Sequence, residues 1–261
     1  MKRSLIRLPL LVTVALCALL LAHGPIAQLP NYHQFADQSV LLGVPSGADV
    51  LSNLGFVLVA AWGLLRLWPM QGISSLDAGR HGYRLFLIGL LLTATGSAFY
   101  HLAPDNARLV WDRLPIALAC AGLLAAVRAE CLAKPTSRAA TLWLGMFAVF
   151  SVAWWAVTEQ NGVGDLRPYL LLQGLPLVLI PLWQWIYRAA RRDRRAFGCA
   201  LALYVAAKFA ELGDAALLAA LGVVSGHTLK HLLATAAAAL LVARLLERQR
   251  QQQRPSRQVT A

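Results

Sequence analysis

Apolar residues in this chain come in long runs rather than in alternating or striped patterns. Runs nearly free of charge recur at about 5–23, 49–68, 85–103, 108–127, 139–157, 169–187, 197–213 and 222–246. Each is close to the roughly 17–25 residues that a helix needs to cross a hydrocarbon layer. The seventh is the shortest and contains Lys208 and Glu211. Short polar connections separate most of the runs, such as LAPDNAR, TEQNGVGDLRP and RAARRDRRAF. The pattern predicts an all-α polytopic membrane bundle: a seven-helix core over 49–246, preceded by one N-terminal helix within 1–28. Between them, 29–48 reads as an exterior loop, because its Pro and Gly break any continuous helix. Asp49 is placed to cap the helix that follows. The polar stretch 247–261 reads as a disordered cytoplasmic tail.

Composition agrees with this pattern. The chain is 58% hydrophobic and 14% charged, with mean hydropathy +0.58, which excludes an ordinary soluble domain. A net charge of +12 would suit a nucleic-acid binder, but the distribution of the charge argues otherwise. With the N-terminus cytoplasmic and all eight runs spanning, all but five of the 24 Lys and Arg fall on the cytoplasmic side. The five are Arg108, Arg113, Arg167, Lys208 and Lys230. The basic excess therefore records membrane orientation, with both termini cytoplasmic in a plasma-type or inner membrane. Attraction to anionic lipid is secondary, and no nucleic-acid partner is expected. The first run has the basic start of a signal peptide, but Pro25 follows its small residues, so an uncleaved helix is the favoured reading. The four cysteines (Cys17, Cys120, Cys131, Cys199) form no ligand pattern and read as small buried apolar side chains. Trp68, Tyr100, Trp111, Trp183 and Tyr187 lie near helix ends and read as interfacial anchors.

Against this background the informative residues are the polar ones that a membrane span should reject. His101 ends the third run, Asp112 lies about one turn into the fourth, and His227 and His231 occupy the first two turns of the last. The charge-derived orientation brings all four to one layer just below the exterior surface. His227 and His231, four apart, share a helix face, and Ser97 and His101 repeat that spacing on another helix. Three imidazoles with one open position are the ligand set of a catalytic zinc site. Asp112 is then placed to deprotonate a zinc-activated water, and Ser97 to donate to the oxyanion formed as that water attacks a carbonyl. His23, His33 and His81 fall outside this layer. Lys208 and Glu211 pair with one another, as a structural ion pair in preference to a substrate contact. Lys230 sits on a different face from the two histidines and snorkels toward headgroups, although a lysine there would also tend to repel a metal. Asp105, in a short exterior loop, reads as solvated.

These motifs resemble the alkaline ceramidase family, within the superfamily of seven-helix membrane hydrolases that includes progestin/adiponectin-type receptors. The residues that carry the resemblance are Ser52 and Asn53 in DVLSNLGF, Gly96, Ser97 and His101 in ATGSAFYH, Asp112 and Pro115 in WDRLPI, and His227 and His231 in GHTLKH. They cover about 49–246 and occur in the family's order. The resemblance implies a Zn2+ cofactor on His101, His227 and His231. It also implies Ser97 and Asp112 as catalytic groups in hydrolysis of the amide bond of ceramide or another N-acyl membrane lipid to a sphingoid base and a fatty acid. The family's acidic, tryptophan-containing calcium segment has no counterpart in NYHQFADQSVLLGVPSGADV, so no calcium site is carried over. The competing reading is a receptor or structural protein in which zinc only ties helices together; it has no use for Ser97 and Asp112 beside the metal face. A transporter with a proton path through Lys208, Glu211 and Asp112 is disfavoured by the lack of paired broken helices or internal repeats.

Overall fold

A computed structural model describes residues 2–67, 74–132 and 137–253. Among these, the long apolar runs are helical over most of their length, broken at Asn53 between two helices and non-helical at 222–225, because a backbone in hydrocarbon must satisfy its own polar groups. The elements are α1 (Lys2–His23), a two-residue hairpin β1 (Val40–Leu41) and β2 (Val44–Pro45), α2 (Gly47–Ser52), α3 (Leu54–Leu67), α4 (Ser74–Asp77), α5 (Arg80–Leu102), α6 (Asn106–Leu132), α7 (Ser137–Gln160), α8 (Arg167–Ile186), α9 (Arg191–Leu212), α10 (Asp214–Leu221) and α11 (Gly226–Gln253). Seven of the described helical stretches are long and apolar enough to cross a membrane. An eighth results if α9 and α10, bent by 86° at Gly213, count as one span. The fold is the expected all-α polytopic bundle.

Six spans close a ring, in the order α2–α3, α5, α6, α8, α9 and α11, with α11 returning to α3. Helix α7 packs outside the ring against α5, α6 and α8, and α1 lies against α8. The outer faces carry bare apolar side chains such as Leu11, Leu58, Leu65 and Trp143, as a lipid-facing surface requires. The α5–α6 seam depends on small residues. Gly82, Gly89 and Gly96, seven apart on α5, and Gly122 on α6 leave no space for a Cβ; one at Gly89 would lie 2.8 Å from the Ala119 backbone nitrogen. At Gly96 it would run into the Trp111 carbonyl, so this glycine fixes how near Asp112 comes to α5.

One end of the bundle carries the hairpin, α2, the α5–α6 turn and α10; it is called here the hairpin end. Asp37, in the loop before the hairpin, accepts from the backbone N–H groups of Ala48 (3.0 Å) and Asp49 (3.2 Å) and from Ser39. Burial alone would raise its carboxyl, but the hydrogen bonds from Ser39, Asp49 and Ala48 outweigh burial and hold it below the usual carboxylate range. Asp37, eleven residues before Ala48, is thus the cap of α2. Asp49, expected in that role, points inward instead. Between α7 and α8, Asp165 binds Arg167, the Trp154 indole and the Ile26 amide, tying the chain after α1 to the start of α8. At the opposite end, Arg244 pairs with Asp193 and Glu247, and Arg248 with Glu130.

Several expectations are corrected. α11 continues to Gln253, because Glu247 bonds Arg244, Arg192 and Gln251 along and across helices, so 247–253 is not disordered; 254–261 lie outside the described residues. Tyr100 and Trp183 are core residues, not interfacial anchors, since both face inward from their helices; Trp111 is exposed, and Trp68 lies outside the described residues. Cys199 is exposed and the other three cysteines only partly buried, because their helix faces look toward lipid or the central cavity. The Asp105 side chain is open to solvent as expected and also accepts from Arg108 at 2.6 Å.

Candidate metal centre

Two helices meet at the hairpin end to supply the three imidazoles. His101 comes from the last turn of α5, and His227 and His231 from the first two turns of α11. All three are buried, and one nitrogen from each lies within 4.8 Å of the others. Ring centroids are separated by 4.5 Å (His101–His227), 4.8 Å (His227–His231) and 5.2 Å (His101–His231). The three expected ligands are thus brought together from positions 126 to 130 residues apart in sequence.

The surroundings of each imidazole bear on whether a cation fits. Neither ring nitrogen of His101 has a hydrogen-bond partner among the described residues. A buried, unpaired polar atom costs about 1–3 kcal/mol, and an ion seated among the three rings removes that cost at one nitrogen. His231 is oriented from behind: its Nδ1 lies 2.8 Å from Ser52 Oγ and 3.1 Å from the Asp49 carbonyl. Those contacts place the ring proton on Nδ1 and leave Nε2 as the free donor, the arrangement expected of a metal-binding histidine. The donor set therefore fits a metal ion, and three neutral nitrogens suit zinc among other divalent cations.

Helix α11 is aligned by its own start. Ser225 Oγ accepts from the Thr228 amide as the N-cap. Both hydroxyls then donate to Asp49 Oδ1, Ser225 at 3.0 Å and Thr228 at 2.5 Å. Asn53 donates to the Asp49 carbonyl at 2.9 Å. Asp49 therefore locks α2 to α11 one layer behind His231. Asp214 does the same at the α10 junction, accepting from the His227 amide and the Ala36 amide, both at 2.8 Å. The adjacent Phe35 covers the imidazoles edge-on, 4.6 Å from His101 and 4.5 Å from His227.

Ser97 and Asp112 are both buried beside the cluster. Ser97 Oγ lies 3.5 Å from His231 Nε2. Both line a cavity within the helix ring, of about 150 Å³ measured as space open to the centre of a water molecule. The charged lining residues and candidate site groups (Ser97, Asp112, Lys208, Lys230, His231) gather at the hairpin end, and Thr93, Gln173 and Tyr204 add polar groups to the wall. Below them the walls are apolar, down to Phe86, Leu123 and Leu241. From His231 to Leu241 along α11 the depth is about 15 Å at 1.5 Å per residue.

Sequence reasoning misplaced one residue and missed others. Lys230 does not snorkel outward. Its ammonium lies 3.0 Å from Glu211 Oε1 and 2.7 Å from His227 Nε2, because Glu211 on α9 faces α11 at this depth. Lys208 reaches the other Glu211 oxygen at 2.9 Å, so the expected pair exists but is one half of a three-residue bridge. The supporting roles of Asp49, Asp214 and Ser225 were not foreseen, although the helix-start signature of SGHT was there to be read. Phe35 left no signal. His33 bonds Tyr100 and Asn106 outside the cluster. Compared with known proteins, the chain matches no family model and no curated protein.

Proposed function

We propose that this chain is a zinc-dependent intramembrane hydrolase that cleaves the amide bond of a ceramide-like N-acyl lipid, giving an amine and a fatty acid. The observation that carries the reading is the meeting of three buried imidazoles with Ser97 and Asp112 at the polar mouth of an apolar cavity. A site that only fastened helices together would need neither the acid–hydroxyl pair nor the cavity. The motif resemblance to alkaline ceramidases supports the same chemistry. The distribution of Lys and Arg supports an orientation with both termini cytoplasmic and the site near the exterior face.

His101, His227 and His231 would hold the ion, which when bound polarises the acyl carbonyl and acidifies water. Asp112 accepts the proton of the attacking water and returns it to the leaving amine, a contribution of about 10²–10⁴ in rate. Ser97 Oγ donates to the carbonyl oxygen as negative charge develops there, worth about 10²–10³. Ser52 and the Asp49 carbonyl keep the His231 ring in place. The apolar cavity takes the acyl chain, and Phe35 limits access of bulk water to the imidazoles. Fatty-acid release from ceramide, measured by mass spectrometry, is expected to fall by about 10²–10⁴ in Asp112→Asn while bound zinc stays stoichiometric. Undiminished release in both Asp112→Asn and Ser97→Ala would refute the proposal.

A further inference from the structure

The bridge Lys208–Glu211–Lys230 is not used by that chemistry, yet it lies in the same layer. Both lysines line the cavity; the Lys230 and Glu211 side chains are 14% and 20% exposed, and that of Lys208 is 44% exposed. Lysine inside a membrane span is costly unless it is paired. Here two ammonium groups share one carboxylate, at 2.9 and 3.0 Å. Each ammonium has three donors. Among the described residues Lys208 spends one on Glu211, and Lys230 spends one on Glu211 and one on His227 Nε2. Donors are left over on both.

Formal charge points the same way. Among the charged groups that line the cavity or bridge its lysines, Lys208 and Lys230 balance Glu211 and Asp112, while Asp49, Asp214 and Arg113 lie outside the lining on partners of their own. A divalent cation on the histidines adds two positive charges to that wall. If His227 gives Nε2 to the ion, Lys230 also loses an acceptor. A neutral lipid leaves that surplus and those donors unanswered in a low-dielectric wall. An anionic oxygen close to the scissile bond answers both.

We infer that Lys230 and Lys208, spanned by Glu211, form an anion subsite beside the metal centre. The lipid taken there carries a carboxylate adjacent to its amide, as in an N-acyl amino acid, with its acyl chain in the apolar cavity. This rests on the hydrolase reading for its substrate but not for its binding.

The test uses full-length, zinc-loaded protein and two probes of equal chain length, N-lauroylglycine (anionic) and N-lauroylethanolamine (neutral). Binding is measured in nonionic detergent in the Ser97→Ala background, which slows turnover and leaves the charge of the site unchanged. N-lauroylglycine is expected to bind about tenfold or more tightly, the worth of one charged hydrogen bond. Lys230→Met and Lys208→Met should each narrow that preference and leave binding of the ethanolamide unchanged, which also reports that the variants are folded. If Lys230→Met fails to bind either probe, Lys208→Met decides alone. Equal affinities in the parent protein, or a preference that survives in Lys208→Met and Lys230→Met, overturn the subsite. Turnover in the protein with native Ser97 separates the two claims: hydrolysis of both probes at equal rates sinks the subsite only, whereas clear selective binding with no hydrolysis of either sinks the hydrolase reading only.

Discussion

His101 offers the sharpest test of the metal centre, because the structure predicts opposite effects of one substitution with and without metal. In metal-free protein His101 is buried with both ring nitrogens unpaired, a burden of roughly 2–6 kcal/mol at 1–3 kcal/mol per orphaned group. His101→Leu removes it. The variant gives up ring contacts with Phe35 at 4.6 Å and Tyr100 at 5.0 Å, each worth about 0.5–1.5 kcal/mol. The balance favours the variant by about 1–3 kcal/mol, or a rise in Tm of a few degrees at roughly 2–4 °C per kcal/mol for chains of this size. With zinc at a thousandfold excess over Kd, the parent gains about 4 kcal/mol by linkage, which the variant forgoes. The order of stabilities should therefore reverse. Thermal unfolding in detergent, after exhaustive chelation and again with saturating zinc, measures both states. If His101→Leu lowers Tm equally in both, His101 is a packing residue and the metal assignment is wrong.

Two further outcomes follow from the support around the site. Ser52→Ala leaves the three ligands in place but removes a partner of His231 Nδ1; zinc affinity is expected to fall by about tenfold, as competition with a chromophoric chelator would show, and an unchanged affinity would mean that Ser52 does not orient the ring. Asp165 lies between α7 and α8. Burial by itself would raise its carboxyl, but hydrogen bonds from Arg167, Trp154 and the Arg167 and Ile26 amides outweigh burial and hold it well below the usual carboxylate range. A carboxyl depressed on folding adds stability that is complete above its unfolded value, near pH 4, and fades as pH falls below it. Chemical denaturation of the native protein between pH 6 and pH 3 should show that loss, and Asp165→Asn should lack this component; parallel curves would contradict it.

How much of this was legible beforehand depended on the range of the physics involved. Helices and spans are set by local composition, since an apolar run in hydrocarbon must bond its own backbone. Eight runs read from the sequence correspond to the helices α1, α2–α3, α5, α6, α7, α8, α9 and α11, of which all but α9 are long and apolar enough to span by themselves. The i, i+4 spacing put His227 and His231 on one face, and the counting of Lys and Arg put His101 and Asp112 at the same depth as that pair. Depth is a one-dimensional property, and a sequence carries it.

Contact is a different matter. Whether side chains at equal depth touch depends on the rotation of each helix and on its neighbours, and tertiary packing alone sets both. The closed ring turned Lys230 onto Glu211 and His227 rather than toward headgroups. It brought Asp49 against Ser225 and Thr228, far along the chain, instead of leaving it at its own helix start. It laid Phe35, from a loop with no periodic pattern, over the imidazoles. The sequence by itself determined which residues reach the layer; the glycine seam, the bend after α9 and the closure of six helices decided which of them meet, because those are long-range fits between surfaces that no local period encodes.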